Sequence, residues 1–195
     1  MSPIEMARGL CPRSLVTFFR RFHSAREGVI ATEFALIAPI MIVMYFGVAE
    51  IADAFTASSK VTSVASSAAD LTARESAVCN AEISDIFSAM IAIMFPYPQN
   101  NMQITISSLI DTGTGTVKVA WSDALNTTPR LVNSVVAIPA GLVTSGGGGS
   151  VIFTEVTYNY SSPAGYLIYG TRPLHDSFYL RPRRTAQITR SANGC

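Results

Sequence analysis

Glu33 is a carboxylate in a costly place. From Val29 to Ala52 the sequence runs 24 residues with only Glu33 and Glu50 charged. An ionised acid in lipid costs several kcal/mol unless it is partnered, so an acid inside such a stretch reads as functional. The bland reading sets Glu33 at headgroup level, where the cost is small. The other reactive residues form no catalytic set. His23 and His175 fall on opposite sides of the membrane that the stretch predicts, so they cannot join in a zinc site, and no G-x-S-x-G elbow occurs. GTGTVK (Gly113 to Lys118) lacks phosphate-loop spacing. A Ser-Lys dyad through Lys60 or Lys118 is compatible with the sequence, but serine is by default a surface residue. The expectation is a protein that is not an enzyme, with no cofactor and no metal.

The element that must position Glu33 is a membrane span. Only 14% of the 195 residues are charged, against roughly 25% in soluble proteins, while 49% are hydrophobic. Disorder as the main state has the opposite composition. A net charge of +1 gives no basic excess for binding nucleic acid by counterion release. Phe34 to Ala49, FALIAPIMIVMYFGVA, is sixteen residues without a charge. At about 1.5 Å per residue, the stretch 29–52 crosses a hydrocarbon core of roughly 30 Å.

Five arginines (Arg8, Arg13, Arg20, Arg21, Arg26) precede the span and only Lys60 and Arg74 follow closely. The excess of basic residues predicts a cytoplasmic N-terminus and an exported remainder, periplasmic in a bacterium. A secretory signal peptide is the competing reading of residues 1–54. Its basic and apolar regions would be unusually long, although Ala52, Ala54 and Ala57 offer weak cleavage sites. Of the three cysteines, Cys11 would sit in a reducing compartment, and Cys79 and Cys195 in an oxidising one. One intramolecular disulfide, Cys79 to Cys195, is then expected. A free thiol or a bond from Cys195 to another subunit is the alternative.

Arg26, Glu27, Gly28, Val29, Ile30, Ala31, Thr32, Glu33, Phe34 resemble the processing site of type IV prepilins, in the variant form of the tight-adherence (Tad) pilus system. EFALIAPIMIVMYFGVAEIADAF (Glu33 to Phe55), with Pro39 early in the helix, resembles the start of TadE-like and TadG-like pseudopilins. IPAGLVTSGGGGSVIFTEVTYNY (Ile138 to Tyr160) and FYLRPRRTAQI (Phe178 to Ile188) resemble their exported half. The resemblance implies cleavage between Gly28 and Val29 by a prepilin peptidase, with Glu33 as fifth mature residue, followed by the aromatic Phe34. That reading makes chemical sense. The new α-amine, of reference pKa near 8, would lie four residues from Glu33 on one helical face, and could neutralise the carboxylate in its own chain or in a neighbour.

Beyond the membrane, Ile51 to Arg74 places Val61, Val64, Ala68 and Leu71 at helical steps, predicting that the span continues as one long helix. A second helix is predicted from Ala81 to about Phe95, with Ile83, Ile86, Phe87, Met90, Ile91 and Met94 on one stripe, stopped by Pro96 and Pro98. From Met102 the period becomes two, giving a hairpin through Asp111 to Gly115 with Val117, Val119 and Trp121 alternating on its second arm. Further strands are predicted at Val151 to Tyr160, Phe178 to Leu180 and Thr185 to Thr189, with Gly146 to Gly149 a mobile loop. The fold class is α+β and pilin-like: a long N-terminal transmembrane helix plus a second helix packed on an antiparallel sheet.

The expected segments are a leader at 1–28, a span at 29–52 and an exported domain at 53–195. Arg172, Arg181, Arg183, Arg184 and Arg190 read as solvated surface or as partners of acids, with anionic lipid or a pilus subunit the lesser reading. The resemblance implies a pseudopilin or minor pilin acting in assembly of a Tad-type adhesive pilus, in the bacterial inner membrane or at the base of a pilus. Its implied partners are the prepilin peptidase, other Tad pilins and pseudopilins, the inner-membrane assembly platform and membrane lipid, with no nucleic acid. The rival class is a permanently anchored periplasmic scaffold or binding protein whose leader is never cut.

Overall fold

The computed structural model describes residues 27–111, 113, 116–139, 141–143, 149–161 and 170–192. Helix α1 runs Glu27–Arg74 through Pro39 without interruption. It is followed by β1 (Ala77–Val78), α2 (Asn80–Met94), a 3-10 turn (Gln99–Asn101), β2 (Met102–Asp111), β3 (Val117–Leu125), β4 (Ser150–Ser161), β5 (Thr171–Leu180) and β6 (Thr189–Arg190). Two compact units divide between Val48 and Ala49. The fold class is α+β, as the periodicities predict.

Within the second unit, α2 runs back along α1. The stripe Ile83, Ile86, Phe87, Met90 and Met94 is buried against Val61, Val64 and Ala68, and Ile91 is half-buried beside it. The Lys60 ammonium donates to the carbonyls of Ile93 and Phe95, both at 2.8 Å. It thereby satisfies acceptors that a helix C-terminus leaves open and complements the dipole there. At the other end, the Glu82 carboxylate accepts from the Cys79 backbone N–H at 3.2 Å, half of a capping box.

The main sheet is antiparallel in the order β3-β2-β4-β5. Ile104, Ile106, Ile152, Val156, Tyr158 and Tyr160 alternate onto the face shared with the helices. Three strand expectations are corrected. First, Val117, Val119 and Trp121 do not share a face: Ser108 pairs with Trp121 but Leu109 with Val119, so Ala120 is an extra residue and the phase flips. Trp121 joins the helix-facing core, its indole donating to the Ile188 carbonyl at 2.8 Å, while Val119 joins Leu109, Val136 and Phe153 in a small core on the opposite face. Second, β5 starts at Thr171 rather than Phe178. It holds Pro173 because it is the last strand in the order, where a missing N–H costs no ladder bond. Third, of Thr185 to Thr189 only Thr189 is in a strand. β6 pairs in parallel with β1, Ala77 with Thr189 and Val78 with Arg190, outside the main sheet.

Candidate processing and assembly segment

Gly28, Val29, Glu33 and Phe34 lie in the first turns of α1. Around Gly28 an added Cβ would meet nothing within 4 Å. The Thr32 hydroxyl donates to the Val29 carbonyl at 2.8 Å. Glu33 is exposed, four residues after Val29 and therefore on its face of the helix. Phe34 is 71% exposed, and so are the large side chains that follow it, Leu36, Ile40, Met44 and Tyr45 among them. A helix apolar all round and left almost wholly exposed from Gly28 to Ala49 suits lipid or other helices as its solvent. Among the described residues α1 is the one helix long and apolar enough to cross a membrane, and it fits a single-pass anchor followed by a C-terminal domain.

The second acid of the stretch is placed differently. Glu50 is only 5% exposed, with Oε1 lacking a hydrogen-bond partner. One turn on, Asp53 collects two phenols: Tyr97 donates to Oδ1 at 2.8 Å, with its hydroxyl also 3.1 Å from the Asp53 carbonyl, and Tyr160 donates to Oδ2 at 2.6 Å. The Tyr97 ring packs edge-on against Tyr158 and Tyr160. Burial, then the hydrogen bond it donates to Asp53 and that carboxylate's charge, hold the Tyr97 phenol well above its ordinary value. Sequence reasoning missed this cluster. The available signal was a pair of acids three residues apart at the end of an apolar run, but nothing local names the tyrosines that meet them.

The tail arginines mostly meet acids or carbonyls. Arg183 pairs with Asp70 at 2.6 Å, Arg190 with Asp123 at 2.8 Å, and Arg181 donates to the carbonyls of Leu142 and Gly141. His175 Nδ1 is 3.0 Å from the Thr157 hydroxyl. Lys60, a candidate for a dyad, is committed to the end of α2. Among the described residues no group of three or more His, Cys, Asp or Glu could hold a metal ion. Cys79 is disulfide-bonded. The leader arginines, Cys11, His23, Cys195 and the loop Gly146 to Gly148 lie outside the described residues.

No curated protein and no solved structure matches the chain. A family model described as TadE-like protein matches residues 28–70, starting at Gly28 and ending within the part of α1 that packs on α2. The match covers 43 of the 195 residues, and over that segment, most of α1, the chain is similar to TadE-like proteins.

Proposed function

We propose that the chain is a minor pilin or pseudopilin of the Tad pilus, made with a leader at 1–28 that a prepilin peptidase removes after Gly28. One observation carries the reading: G-x-x-x-x-E-F opens an exposed apolar helix where the TadE-like match begins. The peptidase must admit an extended backbone next to the membrane face, and a residue without a side chain suits that position. Residues 29–52 then form the span and 53–195 an exported domain, with the N-terminus cytoplasmic because the leader holds the excess of arginine. Glu33 accepts the new α-amine of Val29, its own or a neighbour's, so that both charges enter lipid as a pair. Phe34 packs against neighbouring subunits. The working partners are the peptidase, other Tad pilins and the inner-membrane platform.

The disulfide of Cys79 reaches Cys195 in this reading. β6 lies on β1, the Ser191 N–H donates to the Val78 carbonyl at 2.9 Å, and the Asn80 amide to the Ala192 carbonyl at 3.0 Å, which brings Ala192, three residues before Cys195 in sequence, beside the residue that follows Cys79.

N-terminal sequencing of the protein from bacterial membranes tests the processing step. The expected first residue is Val29. Loss of five basic and two acidic residues then leaves 9 and 11, a formal charge of −2. A chain starting at Met1 or Ser2 returns the permanently anchored scaffold, and one starting near Thr56 the signal peptide. A bulky residue at position 28 should leave a precursor heavier by 28 of 195 residues of a 20.8 kDa chain, about 3 kDa.

A further inference from the structure

The second compact unit begins at Ala49, inside the predicted span 29–52. Glu50 lies inside the same stretch, yet it is only 5% exposed. The chain that returns from α2 carries Phe95, Pro96, Tyr97 and Pro98, and two sets of bonds fix its height against α1. Tyr97 is tied to Asp53, and the Phe95 carbonyl accepts from Lys60. Along the helix, Asp53, which holds Tyr97, is about 1.5 Å past Ala52 and Phe55 about 4.5 Å, inside an interfacial zone about 5–8 Å deep. At this level Phe95 is 75% exposed and Phe55 74%, with Ile51 exposed one turn below. Large apolar side chains left bare beside a span, on a turn whose tyrosine is held by a carboxylate at the span's end, suit the boundary between acyl chains and headgroups.

We infer that the Phe95–Pro98 turn, with Phe55 and Ile51, is a lipid-contacting foot that seats the exported unit on the bilayer surface. The occupant is lipid because Ile51 belongs to the predicted span and Phe55 follows it one turn on in the same helix. The inference rests on the reading of α1 as a span. The second exposed apolar group of the unit, Leu131, Val132 and Val135, has no such continuity. It adjoins Val119, which pairs through Leu109 with Val151, nine residues and about 30 Å along β4 from Tyr160.

The test uses full-length protein in phosphatidylcholine–phosphatidylglycerol vesicles at low protein-to-lipid ratio, with Trp121 as a buried constant background. Phe95→Trp, Tyr45→Trp and Leu131→Trp report the foot, the span and the distal surface. Lipids brominated high or low on the acyl chain supply quenchers of known depth. Phe95→Trp should lose emission chiefly to the shallow bromines and Tyr45→Trp to the deep ones, while Leu131→Trp is unchanged. Quenching at Tyr45→Trp with none at Phe95→Trp overturns the foot and leaves the span standing. Quenching at neither removes both. Blue-shifted but unquenched emission from Phe95→Trp means that protein covers the turn, and equal quenching at Leu131→Trp means indiscriminate adsorption; either result overturns the inference.

Discussion

Glu33 and Glu50 bound one apolar stretch, but their surroundings separate them. Glu33 is exposed on a helix apolar enough to cross a membrane, and Glu50 is buried. Under the proposed processing, Glu33→Ala should still be cleaved and inserted, since losing an acid makes the span more apolar. Assembly should fall because an α-amine is left unpaired in lipid; normal filament numbers and normal pull-down of partner pilins in the variant count against this role. Tyr97 gives a pH prediction with a definite sign. Its proton is bound more tightly in the folded state than at the ordinary value of 10, so the stability this contributes is fully present below about pH 10 and is lost as pH rises through the folded value. Urea unfolding from about pH 9 to 12 should show that decline, shallower in Tyr97→Phe than in the unchanged protein.

At the scale of elements, α1 and α2 are held by apolar burial along a stripe and by specific bonds at the ends. Met90 is fully buried where α2 meets the rest of the core. Met90→Ala should cost about 2–5 kcal/mol, the lost transfer energy plus a cavity. Denaturant unfolding measures it, and a loss under about 1 kcal/mol would mean that the core collapses to fill the gap. The bulge at Ala120 has a comparable structural consequence without a cavity. It turns Trp121 toward the helices and Val119 away from them, giving each face of the sheet its own core.

For the whole molecule, a disulfide from Cys79 to Cys195 would close a loop of about 115 residues, worth roughly 4–5 kcal/mol in the chain-entropy account. Mass spectrometry of unreduced peptides should recover the linked pair, and reduction should lower the unfolding midpoint of the C-terminal unit. Recovery of a dimer joined through Cys195 would transfer the bond to an interface between subunits.

Patterns of short range made much of this molecule legible from its residues. The helix long and apolar enough to span a membrane follows from a run of apolar side chains, a matter of composition within a few tens of residues. The α2 stripe and the inward faces of β2 and β4 follow from periods of 3.6 and 2, because backbone geometry alone decides which side chains share a face. The TadE-like start was visible in Gly28, Glu33 and Phe34 for the same reason: its residues are close in sequence. Contacts between distant segments decided the rest. Asp53 meets Tyr97 and Tyr160 from 44 and 107 residues away, and Lys60 meets the end of α2 from 33 and 35. The phase flip at Ala120, the full length of β5 through Pro173 and the β1–β6 pairing also depend on which strand lies alongside. Such choices are made by the packing of the whole unit, where a buried polar group finds its partner wherever the folded chain brings one.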